Sequence, residues 1–343
     1  MSTTNKRGKQ SFVLPNKPVI THWASVAGKK ESQGPLAGFF DHTNQDTLFG
    51  QKSWELAENR MQQLALEHLA QKANMKKEDF SLVYSGDLLN QCISSSFSLN
   101  NTGLCHLGLY GACSTMAESL LMASMSVGGG FSDKVIAMTS SHFASSERQY
   151  RFPLGYGGQR TPTAQWTVTG SGAALVCREG MGPKVDCCPI GTVPDLGIKD
   201  ANNMGAAMAP AALQTIKAHF RDMNRSADDF DLIVTGDLGQ VGKEALLALS
   251  RKEGILMGGK LVDCGCMVFD LQKQDVHAGR SGCGCSAITL CSDLLGKLSA
   301  GKLRRILFCG TGALLSPTST QQGLAIPGVC HAVSITGGKT WSS

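Results

Sequence analysis

Hydrophobic and polar positions fall into the same order at two places in this chain. Residues 78–91 read EDFSLVYSGDLLNQ and residues 228–241 read DDFDLIVTGDLGQV. Each is a short acidic lead-in, an apolar β-type run and a Gly-Asp turn, so that Asp79, Phe80, Gly86 and Asp87 recur as Asp229, Phe230, Gly236 and Asp237. A second echo follows. The segments beginning at Cys113 and Cys285 both run Cys-Ser, a small and apolar helical stretch, a Gly break, and an apolar strand ending in small residues. A repeat spanning about half the chain predicts a duplicated α/β unit rather than a solenoid of short periods. The expected halves are 1–182 and 183–343, with a site in the cleft between their matching turns.

The pattern between the echoes fills in the elements. A first strand is predicted over 18–25. A Gly-, Pro- and Asn-punctuated loop follows from Gly28 to Gly50, long enough to suggest a lid or an interface arm. Ser53 caps a helix running to about Lys72, with Trp54, Ala57, Met61, Leu64 and Leu69 on one stripe. Residues 104–115 form a strand entering the Cys113 turn, followed by a helix over 115–127 and a strand over 134–140. The stretch 143–163 is polar, Arg-rich and without periodicity, and reads as an irregular excursion. A buried strand over 167–178 closes the first half. The second half repeats the alternation: helix 205–222, strand 230–235, helix 243–253, strand 265–270, the Cys285 turn and helix, and strand 303–309. Strands alternating with helices predict largely parallel sheets covered on both faces.

Composition narrows the class. With 42% hydrophobic and 17% charged residues over 343 positions, the chain reads as a compact protein with a large core. A dispersed net charge of +5 gives no reason to expect nucleic acid. The opening ten residues, MSTTNKRGKQ, are polar, and about 1–12 is expected to be a disordered tail. No stretch approaches the roughly 20 apolar residues that span a bilayer, and no signal-peptide pattern opens the chain. The 13 cysteines are then expected to be thiols rather than a disulfide framework. Cys264-Gly-Cys266 and Cys283-Gly-Cys285 lack the usual spacing of zinc pairs and sit in apolar, Gly-rich context, so they read as packing thiols and no metal site is expected. Gly310 and Gly312 form no phosphate loop, because no Lys-Ser/Thr pair follows; no cofactor is expected.

LYGACST around Cys113, TVTGSGAALV and the late FCGTGALLS turn together resemble the thiolase and ketoacyl-synthase superfamily. That resemblance implies a five-layered αβαβα sandwich of two duplicated halves, dimers paired through the first-half edge strand, and a nucleophilic cysteine at a strand-to-helix turn. Nine motifs in order along nearly the whole chain resemble more closely the stage V sporulation protein AD family of endospore-forming bacteria. They include GDLLNQ, GACST, SERQYRFP, MGAAMAPAA, SGCGCSA and TGALLSPTS. This resemblance implies an accessory protein of the machinery that takes dipicolinic acid into the developing spore and releases it in germination. It also implies peripheral attachment to the forespore inner membrane through integral proteins of the same complex.

A cysteine at a helix N-terminus has its thiolate favoured by the dipole and free N–H groups. Condensing enzymes add two groups from the other half, such as a His and an Asn. Where those enzymes place a His after the strand 230–235, this chain has Gly236-Asp237, and at the Gly-rich loop Arg280 stands for the Asn or His. A carboxylate beside Cys113 raises a thiol pKa by like-charge repulsion. The expectation is therefore a protein that has kept the nucleophile position and lost acyl transfer. The expected ligand contacts are Cys113, Ser114 and Thr115 through turn N–H groups, and His142, Arg148 and Arg280 as cationic or hydrogen-bonding partners. Asp87 and Asp237 would repel a bare dianion, but Asp237 is suited to touch the calcium of a calcium chelate. His142 also reads as a capped strand-end histidine, and Arg148 and Arg151 equally well as anchors of the 143–163 stretch. Two rivals stay open: an acyltransferase using Cys113, and a scaffold with a vestigial cleft.

Overall fold

A computed structural model describes residues 5–150 and 160–338. Two short strands, β1 (Lys6–Arg7) and β2 (Ser11–Val13), lead into β3 (Val19–Ala27), with β4 (His42–Thr43) beside it. Then come α1 (Trp54–Ala73), β5 (Leu82–Gly86), α2 (Ile93–Ser98), β6 (His106–Gly108), α3 (Thr115–Gly128) and β7 (Lys134–Ser141). Helix α4 (Phe143–Tyr150), β8 (Trp166–Thr167) and β9 (Gly170–Cys177) follow. The remainder begins with β10 (Lys184–Pro189), α5 (Met204–Met223), β11 (Leu232–Thr235), α6 (Gly239–Lys252), β12 (Leu261–Asp263) and α7 (Cys264–Met267). It ends with β13 (Arg280–Ser281), α8 (Cys283–Thr289), α9 (Leu295–Ser299), β14 (Arg305–Ala313), α10 (Pro317–Gln321) and β15 (Gly328–Thr336).

The strand order β12-β11-β14-β15-β10-β3-β9-β7-β5-β6 shows the duplication directly. Each flank holds three parallel strands followed by two antiparallel ones, β6-β5-β7 then β9-β3, and β12-β11-β14 then β15-β10. The sheets are thus mixed rather than largely parallel. The flanks meet at one residue pair, Lys184 opposite Val19. Helix α1 covers one sheet from outside, α5 and α6 cover the other, and α3 and α8 lie between them, which makes the five layers. Both faces of each sheet are therefore buried. In β14, Phe308 enters the inner core with Met116, Ile288 and Val333, while Leu307 joins Ile216, Phe220 and Ile233 in an outer one. In β7, Ala137 faces inward and Ile136 packs outward on Met61 and Leu66. Such strands read as continuous apolar runs because neither face meets water.

The acidic lead-ins of the repeat have a local role. The Asp79 carboxylate accepts from the Lys76 N–H at 2.8 Å, and Asp229 from the Ser226 N–H at 2.7 Å. Each closes the turn that feeds the following strand. The stripe starting at Trp54 forms α1 as expected, with the Ser53 hydroxyl accepting from the Leu56 N–H at 3.3 Å.

Three expectations are corrected. Residues 6–13 are not a disordered tail: β1 pairs with β2, and β2 with β10, so this arm crosses to the second half. The 143–163 stretch opens with a two-turn helix, α4, whose buried side is Ala144, Ser145, Ser146 and Glu147 rather than an apolar stripe. Residues 265–270 are not a strand; the ladder ends at Asp263 and the chain turns into α7.

Close packing of β14 against the Cys113 turn depends on glycine. A Cβ on Gly310 would lie 2.5 Å from the Ala117 Cβ and 2.9 Å from the Ser114 carbonyl oxygen. Gly310→Ala should therefore lower unfolding free energy by about 1–3 kcal/mol, the usual cost of overpacking. Urea denaturation checks this, and an unchanged midpoint would show that the turn has room to move.

Candidate functional site

Strand β6 runs out through Leu109 and Tyr110 to Gly111, and Ala112 takes a left-handed backbone (φ 52°) before the tight turn holding Cys113. That conformation costs a residue with a Cβ roughly 1–2 kcal/mol. It swings the chain from strand direction into α3 and sets Cys113 against a cavity of about 250 Å³. Both halves build this cavity: Leu88, Tyr110 and Cys113 on one side, Met204, Ala313 and Leu315 on the other. Its polar groups are hydroxyls, from Tyr110, Tyr150, Ser146, Thr167 and Ser281. The Tyr110 and Tyr150 hydroxyls bond to each other, and both reach the Leu88 carbonyl. None of the described lining residues is basic.

Asp237 lies directly behind the cysteine. It is fully buried at the end of β11, and its carboxylate accepts from the Thr311 hydroxyl at 2.8 Å, the Gly282 N–H at 3.1 Å and the Cys113 thiol. Burial pushes the Asp237 carboxyl up to about 7, against the downward pull of those bonds. The Cys113 thiol is raised well above its ordinary value, first by burial and then by the Asp237 charge. Desolvation thus outweighs the helix N-terminus, and the thiol stays protonated at neutral pH. Cys283, at the start of α8, completes a small buried cluster with Leu88 and Cys113, its thiol donating to the Ser140 carbonyl at 2.9 Å.

The other expected site residues disperse. Ser114 and Thr115 are fully buried; their N–H groups and hydroxyls all turn back onto the Gly111 and Ala112 carbonyls, leaving no donor for a ligand. Asp87, the repeat mate of Asp237, accepts from the Leu89 N–H at 2.9 Å and from the Ser95 N–H and hydroxyl at 2.8 Å, which anchors α2. His142 is buried and lines a different cavity. Its Nδ1 accepts from the Ala144 N–H at 3.1 Å, so Nε2–H donates to the Thr47 carbonyl at 2.8 Å, and burial lowers its pKa further. Arg148 pairs with Glu55 over the Trp54 ring, beside an open groove with Asn90 and Gln91. Arg280 is the largest displacement: its guanidinium is fully buried against the Phe269 ring, without a hydrogen-bond partner among the described residues. Its neighbour Ser281 faces the Cys113 cavity instead, because successive residues of a strand point to opposite sides, and just past the strand the Gly282 N–H reaches Asp237. Arg151 falls outside the described residues.

Beneath the cavity runs a buried polar network that the sequence pattern did not reveal. Glu58 accepts from the Ser140 and Ser145 hydroxyls at 2.9 and 2.8 Å, and Gln62 links Ser140 to Ser95 and so to Asp87. Burial, then the Asp87 charge, pushes Glu58 up to about 8. The signal was there: eight serines in 94–98 and 140–146 at positions where an apolar core was absent, too polar for a stripe and too regular for a loop.

The comparisons with known proteins fit this geometry. The family model described as Stage V sporulation protein AD matches residues 8–336. The stage V sporulation protein AD of Bacillus subtilis (strain 168) is 44% identical over 326 residues, covering 95% of this chain and 96% of that one. The chain belongs to the stage V sporulation protein AD family. Among solved structures it is similar to 3-oxoacyl-[acyl-carrier-protein] synthase III from Aquifex aeolicus VF5, with a TM-score of 0.55 and 12% identity over 93% of this chain and 99% of that one. Cerulenin-bound OleA from Xanthomonas campestris gives a TM-score of 0.56 at 15% identity, over 98% and 100% of the two chains. At those identities the likeness shows the fold, which is thiolase-like, and not the activity.

Three buried carboxyls hold protons that the unfolded chain would release near pH 4: Asp263 at about 6, Asp237 at about 7 and Glu58 at about 8. The folded state then binds more protons than the unfolded one, so stability falls as pH rises through this range. Calorimetry should give a lower Tm at pH 8 than at pH 6.5, and Asp237→Asn with Glu58→Gln should flatten the slope. A Tm that climbs across this interval would mean that these groups are ionised in the fold.

Proposed function

We propose that this chain is a non-catalytic ligand-binding protein of the spore's dipicolinic acid transport machinery, acting in uptake during sporulation and release in germination. The observation that carries this reading is the Cys113–Asp237 pair beneath a small cavity. Acyl transfer needs a thiolate and a group that moves protons at neutral pH. Here the thiol is held protonated by burial, and its hydrogen-bond partner is a carboxylate rather than an imidazole. Each pH unit separating the thiol pKa from neutrality costs about 1.4 kcal/mol to form the nucleophile. What remains is a cavity with hydroxyl donors and apolar walls, below the roughly 300–1,000 Å³ of drug-sized sites and suited to one small ring.

A dicarboxylate is held in such a cavity by the Ser146 and Ser281 hydroxyls, because those of Tyr110, Tyr150 and Thr167 already donate within the protein. Asp237 opposes a bare dianion when ionised, and a calcium chelate relieves that opposition. Among the described residues no helix is long and apolar enough to cross a membrane. Integral proteins of the same complex would therefore hold the chain peripherally at the forespore inner membrane. Pairing of two copies through the edge strand β6 would cover Leu107, Phe97 and Ile93, which are exposed large apolar side chains near that edge.

Titration calorimetry with dipicolinate should show binding by the full chain. Filling the cavity with Cys113→Phe, or with Leu315→Phe if the first fails to fold, should weaken it at least tenfold. Absence of binding by the unaltered chain would favour a scaffold. Repeating the titration on Asp237→Ala with and without calcium tests the chelate, and identical curves would remove it. Mass spectrometry after incubation with acetyl-CoA or malonyl-CoA should show no adduct on Cys113; a covalent acyl group there would make the protein an enzyme.

A further inference from the structure

A second cavity, of about 440 Å³, lies on the other side of α4 and β8 from the Cys113 pocket. Alternation along these elements divides the two: Trp166 faces the second cavity and Thr167 the first, Ala144 the second and Ser146 the first. The chemistry of the walls is opposite. The second cavity is lined by Lys29, Lys30, Glu31, Trp54 and Trp166, together with Thr47, His142 and Phe143. Phe143 stacks on Trp166 at 4.0 Å between ring centroids, and the Lys30 ammonium lies 3.5 Å from the Trp166 ring centre. With both ring faces covered, Trp166 offers a ligand its edge, the positive part of an aromatic quadrupole.

Charge points the same way. Lys30 donates one hydrogen bond, to the Asp275 carbonyl at 2.9 Å, leaving two of its three donors. The Lys29 ammonium is exposed and has no ion-pair partner among the described residues. Behind the wall the buried Arg280 guanidinium, without a hydrogen-bond partner among the described residues, adds positive potential, while Arg160 over the Trp166 ring is paired with Glu147 at 3.7 Å. The opposing carboxylates are Asp275 near Lys30 and Glu31, which is buried and accepts from the Thr169 N–H at 3.1 Å. Burial raises the Glu31 pKa, which reduces its negative charge.

We propose that this cavity is a second binding site, separate from the Cys113 pocket, for a small planar aromatic carboxylate. Its carboxylate is taken by Lys29 and Lys30, and its ring lies among Trp54 and the Trp166 edge. The ligand class overlaps that of the proposed function, but the site stands on its own residues, and either can fail without the other.

Dipicolinate without calcium is the probe. Titration calorimetry of the full chain should fit two sites, with the intrinsic fluorescence of Trp54 and Trp166 changing as the second fills. Lys29→Gln, at an exposed position that leaves the fold intact, should weaken the fluorescence-detected site at least tenfold, and Lys29→Gln with Lys30→Met should abolish it. The same site should weaken with added salt, as exposed charge pairs do. Cys113→Phe or Leu315→Phe should leave it unchanged. One site that is lost in Cys113→Phe or Leu315→Phe and insensitive to the lysine changes would overturn this inference while sparing the first pocket. One site lost only in the lysine variants would sustain it and sink the first. No binding at all would overturn both.

Discussion

The contact between the Cys113 thiol and the Asp237 carboxylate is the constraint around which the cleft is organised. Two acidic groups placed together in a dry interior cannot both ionise, so at least one must keep its proton near neutrality. The groups close to the pair fix its geometry. The Thr311 hydroxyl and Gly282 N–H occupy the Asp237 oxygens, Gly310 lets β14 approach the turn, and the left-handed Ala112 aims the thiol at the cavity. A helix N-terminus contributes at most a few tenths to about 2 kcal/mol towards a thiolate. Full desolvation outweighs it. The same turn that activates a cysteine when it is wet and beside a cation keeps one inert when it is sealed and beside an acid.

The partition made by α4 and β8 follows from this. Positive groups near the pair would draw it into ionisation, and the structure keeps them on the far side. Arg280, adjacent in sequence to the residues that face Asp237, turns away onto Phe269, and the lysines gather around Trp166. One short helix and a two-residue strand therefore divide a neutral, hydroxyl-lined chamber from a cationic, aromatic one. Anions meet the second with Coulomb attraction and the first only after losing or compensating charge.

Much of this was legible from the residue pattern. The repeated lead-in predicted the two flanks because Asp79 and Asp229 close equivalent turns before equivalent strands. The place of Asp237 beside Cys113 was expected from its position just past β11, in the turn that meets the other half. Arg280 failed by one residue, and one residue in a strand reverses the direction of the side chain. Helix α4 escaped because its buried side is made of serines and Glu147, held by hydrogen bonds rather than by apolar contact, so no hydrophobic period marks it. The Cys264–Met267 segment looked like a strand because Cys, Gly and Met are apolar in either geometry. The arm at 6–13 is fixed by backbone pairing to β10, which leaves no trace in polarity.

The duplication also explains why one Gly-Asp turn became a cleft group and the other did not. Asp87 is consumed by the N–H groups of Leu89 and Ser95. In the second half the corresponding work falls to Asp263, at the end of the neighbouring strand β12, whose carboxylate accepts from the Leu238 and Gly239 N–H groups at 2.8 and 2.9 Å. With the start of α6 satisfied from the side, Asp237 has no local donors to bind and turns across the interface to Thr311, Gly282 and Cys113. The asymmetry of the cleft is thus set by which aspartate caps the next helix. Similar motifs yield one acid that anchors a helix and one that meets the cysteine, because a third carboxylate is present in one half alone.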